Sequence, residues 1–556
     1  MNHTDVIRAS IVPLIAEIDA ARALRPRDYP RANAAVERLL AAAASPAPSI
    51  VEQLSAAAAL RHPASSDGAR CGALALLGTH PCALAHLDLL CDAACARHAP
   101  FATFSLYCSD MARNLLDRAL RAAWAVDALP RPTAAAVAAA VGAMPMPDDE
   151  DSAKRATWHA ATLGWLRANV LGPTRDQLLG SLLGQALGDA TGFLVEGQSA
   201  GVAQDFTATC VWTLDVARFG VTRGFGQDGQ PRYRSLCDAA GQPTPGIAFA
   251  FGQYTDDTQL ARELLLSMAA TDGALDPADF AQRAKRLFVQ SGLINGHAPD
   301  PHGGRGIVGY GTGTQRALQA IADGGAEAWR TAASETSTGN GGCMRAGPFG
   351  LLFYHCRPAV LAAAAGLQAH PTHASLTGKA CAAAVAAATV YAARSSLAGG
   401  PFDAGSFLTY VAAVAGEHHA GVAIAIRGLL ASLAAPSAAL LAAVVEAGRA
   451  LGDFMWADGA MISASAVQAT LWSLASFIRH PDDPVAVIAA AIDGGGDTDT
   501  TAAMAGAMAG ARCGTGWLPP RLVDKLTDQG DHGADELAAL VDRLMPIMEG
   551  RRARIP

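Results

Sequence analysis

The sequence predicts an all-α protein in two parts: a helical N-terminal domain over residues 1–170 and a larger helical domain over 171–556. Three observations carry that prediction. Apolar residues recur at spacings of three and four through long Ala- and Leu-rich runs. Runs in which Val, Ile, Thr and aromatic residues alternate with polar ones, the mark of strands, are scarce. Hydrophobic residues make up 51% of the 556 and charged residues 17%, a balance that fills a large buried core and excludes wholesale disorder.

The N-terminal stretch MNHTDVIRASIVPLIAEIDAAR is apolar but interrupted by Asp5, Arg8, Pro13 and Glu17, so it makes a poor signal peptide. RANAAVERLLAAAA, with Ala34, Ala35, Leu39 and Leu40, shows the helical spacing clearly. Breaks fall at Pro46–Pro48, at His62–Pro63, between Leu129 and Pro132, and at MPMPDDED, residues 144–151. The last joins proline to an acidic run and is the expected linker. Cys91 and Cys95 sit one helical turn apart near His98, a spacing that invites a metal. Without a second such pair, the core reading is preferred. The 11 cysteines lie mostly in apolar runs and fit a reducing, cytoplasmic setting. A net charge of −8 argues against a broad nucleic-acid or anionic-membrane surface. No catalytic motif falls in residues 1–170, which read as a helical bundle that binds something or covers the second domain.

From Asp176 onward, helical patterns alternate with short loops rich in Gly, Asp and Thr. Residues 204–250 break the pattern and read as an irregular or small β excursion. The weakly charged stretch from Gly428 to Val445 reads as two Ala-rich helices meeting at a turn around Pro436 rather than a membrane span. Gly506 and Gly510 in MAGAMAGA allow helix backbones to approach closely.

Two short segments carry most of the chemistry. Tyr254-Thr255-Asp256-Asp257-Thr258-Gln259 and Asp493-Gly494-Gly495-Gly496-Asp497-Thr498-Asp499-Thr500 each run directly into a helix. Asp and Thr are ordinary N-caps, and the Thr/Asp pair with Gln259 close by resembles a capping box. One cap needs one oxygen, however, and these segments offer many more. Carboxylates gathered in one buried place repel unless a cation compensates them. A donor set made only of oxygens favours Mg²⁺, Mn²⁺ or Ca²⁺ over Zn²⁺. An Asp shared by two ions suits a two-metal site, and Gly494–Gly496 let the chain turn tightly beside it. Two further segments join them. GDATGFLVE contains Asp189, which alone reads as a helix-end residue, and Glu196, a candidate ligand or acid/base. Ser337-Thr338-Gly339-Asn340-Gly341-Gly342-Cys343-Met344-Arg345 is a turn first, and secondarily a set of backbone N–H groups for a phosphate.

Taken in order, GDATGFLVE, GQYTDDTQLA, GRGIVGYGTGTQRAL, GNGGCMRAGPFG, PTHAS and AIDGGGDTDTTAAMAGAMAGARCG resemble the motifs of the ADP-ribosylglycohydrolases. The resemblance spans residues 175–556 and leaves 1–170 uncovered. It implies an all-α fold and two ions, Mg²⁺ or Mn²⁺. One ion is held by Thr255, Asp256, Asp257 and Asp499. The other is held by Asp497, Asp499 and Thr500, with Glu196 at or near it. It further implies that Ser337, Gly339, Asn340, Gly341 and His373 line an ADP-ribose pocket, with Gly311 and Thr312 toward the phosphates. Glu196, or a metal-bound carboxylate such as Asp256 or Asp257, is the expected acid/base. This chain departs from the family pattern in the long 204–250 segment, in Cys343 where a small Ala is common, and in Thr338 where an aromatic is common.

The expected activity is removal of ADP-ribose from an acceptor, foremost an arginine of a modified protein, or from a small ADP-ribose conjugate. Two alternatives stand beside it. One is an immunity-type or binding protein whose residues 1–170 occlude an ADP-ribosylating partner. The other is a two-metal hydrolase of a free ADP-ribose ester or a phosphoester.

Overall fold

The computed structural model describes the chain outside residues 1–2, 24–28, 45–49, 63, 79–81, 96–100, 102–103, 105, 127, 146–151, 210–251, 291–307, 326, 456–460 and 556. The described residues form helices joined by short loops, with isolated β-bridges and no sheet, so the all-α expectation is met. Pro46–Pro48, Pro63, His98 and most of the 144–151 linker lie outside the described residues. The chain divides into two compact units, one of residues 1–171 with 397–399, the other of 172–396 with 400–556.

The first unit is a bundle of amphipathic helices, among them His3–Ala23, Tyr29–Ala44, Asp67–Leu77 and Leu106–Ala125. Ile18, Leu39, Leu60, Leu74, Leu90, Leu116, Leu120 and Val141 are fully buried at its centre. Cys91 and Cys95 pack into the same core, which fits the core reading of that pair. Asp19 ties the bundle together. Its carboxylate accepts from Gly68 N and Ser66 Oγ, both at 2.7 Å, at the start of the Asp67–Leu77 helix.

In the second unit four helices carry the site: α1 (Arg175–Gly192), α2 (Asp256–Ala270), α3 (Thr312–Gly324) and α4 (Thr498–Cys513). Thr174 opens α1 with a capping box closed by Gln177. α1 and α4 are the spine of the unit, and they touch backbone to backbone. Gly180, Gly184, Gly188 and Gly192 recur every fourth residue of α1 and so share one face. A Cβ on Gly184 would lie 2.4 Å from Gly506 O, and one on Gly510 would lie 1.9 Å from Gly180 O. No side chain fits in that seam. The apolarity of α1 is directed inward. The Arg175–Val195 and Leu376–Ala398 segments are long and apolar enough to cross a membrane, yet 89% and 78% of those windows are buried within the protein.

The Gly428–Val445 region is two helices, Ala420–Ser432 and Ser437–Ala450, meeting at Pro436 as the sequence suggested. The 204–250 expectation needs correction at its start. Residues 204–209 complete a helix, Ala200–Thr209, anchored by Thr207 Oγ1 donating to Asp493 Oδ1 at 2.5 Å; the remainder lies outside the described residues.

Candidate metal centre

The close seam between α1 and α4 sets Asp189, one residue past Gly188, near Asp499, one residue into α4. Asp189 accepts four hydrogen bonds: from Thr255 N (2.8 Å) and Thr255 Oγ1 (2.9 Å) on Oδ1, and from Thr258 N (3.0 Å) and Thr258 Oγ1 (2.7 Å) on Oδ2. It therefore holds the N-terminus of α2 and the Asp256–Asp257 pair against α1. Gln185, one turn earlier, donates to Asp257 O at 2.9 Å. Gln259 does not close a capping box at this helix start. Its side chain accepts from Val308 N (2.9 Å) and donates to Asp528 Oδ1 (2.7 Å), and Asp528 is paired in turn with Arg262 (2.8 Å). Through Asp256 N donating to Val308 O (2.7 Å), this network sets the Gly309–Thr312 turn beside the carboxylates.

The second acidic segment reaches the same place by a different turn. Gly495 and Gly496 sit at φ +63° and +72°, a region other residues rarely adopt. Gly496 N donates to Gln198 O (2.8 Å) and Gly197 N to Gly496 O (2.7 Å), which draws Glu196 alongside Asp497. Asp497 occupies the N-cap position of α4 yet makes no side-chain cap hydrogen bond. Its carboxylate instead accepts from Asn340 Nδ2 in the Gly339–Gly342 turn.

Two groups of carboxylates result. Oxygens of Asp189, Asp257 and Asp499 lie within 4.8 Å of one another, as do oxygens of Glu196, Asp497 and Asp499. Asp499 belongs to both. Asp256 lines the wall beside them, and Thr255 and Thr500 approach Asp257 Oδ2 at 3.1 and 3.3 Å. Both oxygens of Asp189 are already taken by donors, so it serves to position α2 rather than to ligate. Asp257 Oδ1 and Asp499 Oδ1 are the reverse: buried and, among the described residues, without a hydrogen-bond partner. A buried unpaired carboxylate oxygen is costly, and a divalent cation satisfies it. The residues therefore fit oxygen-liganded divalent metal around Asp499, with Asp257, Asp256 and Thr255 to one side of it and Asp497, Thr500 and Glu196 to the other.

Without such a cation, burial and then mutual repulsion push Asp256, Asp257 and Asp497 well above the ordinary carboxyl range. The same two causes raise Asp189 to about 7, and burial raises Asp499 to about 6. Unfolded carboxyls titrate near 4. The metal-free native state thus binds more protons than the unfolded chain between about pH 4 and about pH 7, and its stability falls as pH rises through that window. We expect the Tm of EDTA-treated protein to decline from about pH 5 to about pH 7.5, and added Mg²⁺ to flatten the decline. A Tm in EDTA that is constant over this range contradicts the clustering.

The carboxylates floor a cavity of about 880 Å³, within the size range of small-ligand sites. Glu196, Asp256, Asp257, Asp497, Asp499 and Thr500 form one end. Gly311, Thr312, Ser337, Gly339, Asn340, Gly341 and His373 line the rest, so the cavity gathers every residue expected to hold an ion, move a proton or line an ADP-ribose pocket except Thr255, which lies fully buried. α3 begins there at Gly311 with no side-chain cap, leaving its first turn open to an anion. A Cβ on Gly341 would lie 2.5 Å from His373 Cε1, so the turn must be glycine for the imidazole to pack. Burial, and next the charge of Arg345, hold His373 down to about 3 and thus neutral.

Several residues of the site were not picked out from the sequence. They are Asp189 in its positioning role, Gln185, Arg345, and the lining residues Arg316, Ser334, Thr336 and Phe454. One signal points to the place of Asp189, though not to its role: it follows a Gly stripe of period four that matches the Gly506–Gly510 stripe.

A family model described as ADP-ribosylglycohydrolase matches residues 171–554. Among solved structures, an ADP-ribosylglycohydrolase-related protein complex aligns with 24% identity over 67% of this chain and 98% of that one, with a TM-score of 0.42. No curated protein matches the chain.

Proposed function

The chain belongs to the ADP-ribosylglycohydrolase family, and on that premise we propose that it is a divalent-metal-dependent hydrolase that frees ADP-ribose from a modified acceptor, arginine on a protein being favoured. The observation that carries this is the pair of carboxylate groups meeting at Asp499 on the floor of the cavity, with Asp257 Oδ1 and Asp499 Oδ1 buried and unpartnered among the described residues. Thr255, Asp256, Asp257 and Asp499 would hold one Mg²⁺ or Mn²⁺, and Asp497, Asp499, Thr500 and Glu196 would hold the other. When bound, such ions supply Lewis acidity that anchors ribose hydroxyls and acidifies water.

The chain's own residues do the remainder. Asn340 donates to Asp497 and fixes the ligand face of that carboxylate. The open N-terminus of α3 and the Gly339–Gly341 turn offer backbone N–H groups to the two phosphates. Cleavage of a ribosyl bond builds positive charge at the anomeric carbon, which the surrounding carboxylates stabilise. A guanidine leaves as its protonated form. Glu196 gives that proton or takes one from water, a role that its half-buried position at the cavity wall supports. A reducing, cytoplasmic setting suits the buried cysteines.

Free ADP-ribose release is the test, measured from arginine-, serine- and DNA-linked ADP-ribose with Mg²⁺, Mn²⁺ or EDTA. Release from the arginine conjugate, dependent on metal and abolished by EDTA, is the expected result. Release from another linkage reassigns the acceptor. Failure on every linkage with metal demonstrably bound sinks the hydrolase reading in favour of a binding protein.

A further inference from the structure

His373 is almost wholly buried, lines the cavity, and is set by a chain of donors whose directions can be worked out. Arg345, also fully buried, has no acceptor atoms. Its guanidinium donates to Gln368 Oε1 (2.8 Å), Gln368 O (2.9 Å), Gly341 O and Thr372 Oγ1 (2.9 Å). Thr372 Oγ1 is therefore an acceptor on that side. Its other neighbour is His373 Nδ1 at 2.9 Å. Among the described residues the Thr372 hydroxyl has no other acceptor in reach, so its proton points at Nδ1. A nitrogen that accepts carries no proton, and in a neutral imidazole the proton must then sit on Nε2. Nε2 lies beside the Gly339–Gly341 turn, 3.1 Å from where a Cβ on either glycine would stand, and has no hydrogen-bond partner among the described residues.

We propose that Arg345 and Thr372 together lock His373 as the tautomer protonated on Nε2, so that a neutral imidazole donates one hydrogen bond into the cavity and accepts none from it. The group it recognises is an oxygen lone pair, on a phosphate or a ribose hydroxyl, rather than a cationic or N–H group of the acceptor. That assignment of the ligand rests on the reading of the cavity as an ADP-ribose site; the tautomer itself does not. Arg345 and Thr372 act through His373 and are positioning residues. Arg345 also ties the Gly341 carbonyl to the same guanidinium, so the turn and the imidazole are set by one side chain. His373 is thereby removed from acid/base work, which falls to the carboxylates.

The full chain labelled with ¹⁵N-histidine gives the direct test through long-range proton–nitrogen correlations, with His373→Gln identifying the signals. The expected spectrum shows a protonated, pyrrole-type Nε2 and a bare Nδ1. Thr372→Val should shift His373 toward the other tautomer and weaken ADP-ribose binding by about tenfold, the effect of one misdirected hydrogen bond. Thr372→Ser, which restores the hydroxyl, should recover both. A proton on Nδ1 in the wild-type chain overturns the proposal, as does a Thr372→Val spectrum and affinity indistinguishable from wild type. A chain that shows the Nε2 proton and its dependence on Thr372, yet binds no ADP-ribose, supports the relay and sinks the hydrolase reading instead.

Discussion

Asp499→Asn is expected to lower ADP-ribose release by at least about 10³-fold, or about 4 kcal/mol of barrier, while making the metal-free protein more resistant to heat. Both parts come from the same geometry. Asp499 is the one carboxylate common to the two groups whose oxygens lie within 4.8 Å of one another. Asparagine keeps the shape but offers one neutral oxygen and a donor, so each ligand set loses charge at once. On the two-ion reading proposed above, chemistry that relies on both ions then fails, whereas loss of a peripheral contact costs far less. In the metal-free protein the signs reverse. Burial and mutual repulsion already hold the neighbouring Asp256, Asp257 and Asp497 well above their ordinary range, with Asp499 a cause of the shift at each. Removing that charge relieves them.

The two effects separate cleanly in a melting experiment. Wild type in EDTA should melt lowest and gain strongly on adding Mg²⁺, since a ligand at 100 times its Kd stabilises by about 2.7 kcal/mol. Asp499→Asn in EDTA should melt above wild type and gain little from the metal. Turnover within about tenfold of wild type, or an equal metal-induced rise in Tm, would defeat the shared-ligand reading.

How far the site could be read in advance depended on how far apart in sequence its parts lie. The Thr255–Thr258 and Asp497–Thr500 segments were legible because each packs its oxygens into four consecutive residues at a helix start, more than a cap can use. The α-helical class was legible because long runs keep one period. Asp189 was not legible as a positioning residue: its four donors come from residues 66 and 69 positions away, and only the packed seam of α1 on α4 brings them within reach. Gln259 was misread for the same reason. Local spacing offered it to the Thr/Asp helix start, but Asp528, 269 positions on, is the partner it finds. The Arg345–Thr372–His373 relay likewise joins two loops that no periodicity links. The start of the 204–250 segment looked irregular because Gly- and Pro-rich sequence follows it, yet residues 204–209 stay helical where Thr207 meets Asp493.

The seam itself yields the second large effect. Gly188→Ala adds one methyl group, and that methyl would stand 2.1 Å from Ala502 O and 2.5 Å from Ala502 C. Backbone cannot rotate aside as a side chain can, so α1 and α4 must part by roughly 1 Å to reach ordinary contact. Overpacking of this kind costs about 1–3 kcal/mol of stability. The greater effect should fall on catalysis, because the next residue, Asp189, holds α2 through four hydrogen bonds, and α4 carries Asp499. Parting the helices moves the two halves of the ligand set relative to each other, and a displacement of about 1 Å in a catalytic array costs on the order of 10²-fold in rate. Gly428→Ala is the control. A Cβ there meets nothing within 4 Å on the exposed face of the Ala420–Ser432 helix, so the same substitution should stabilise by about 0.5–1 kcal/mol and leave turnover unchanged. If Gly188→Ala instead melts like wild type and turns over like wild type, the helices have slack between them, and the close seam cannot be what brings Asp189 and Asp499 together.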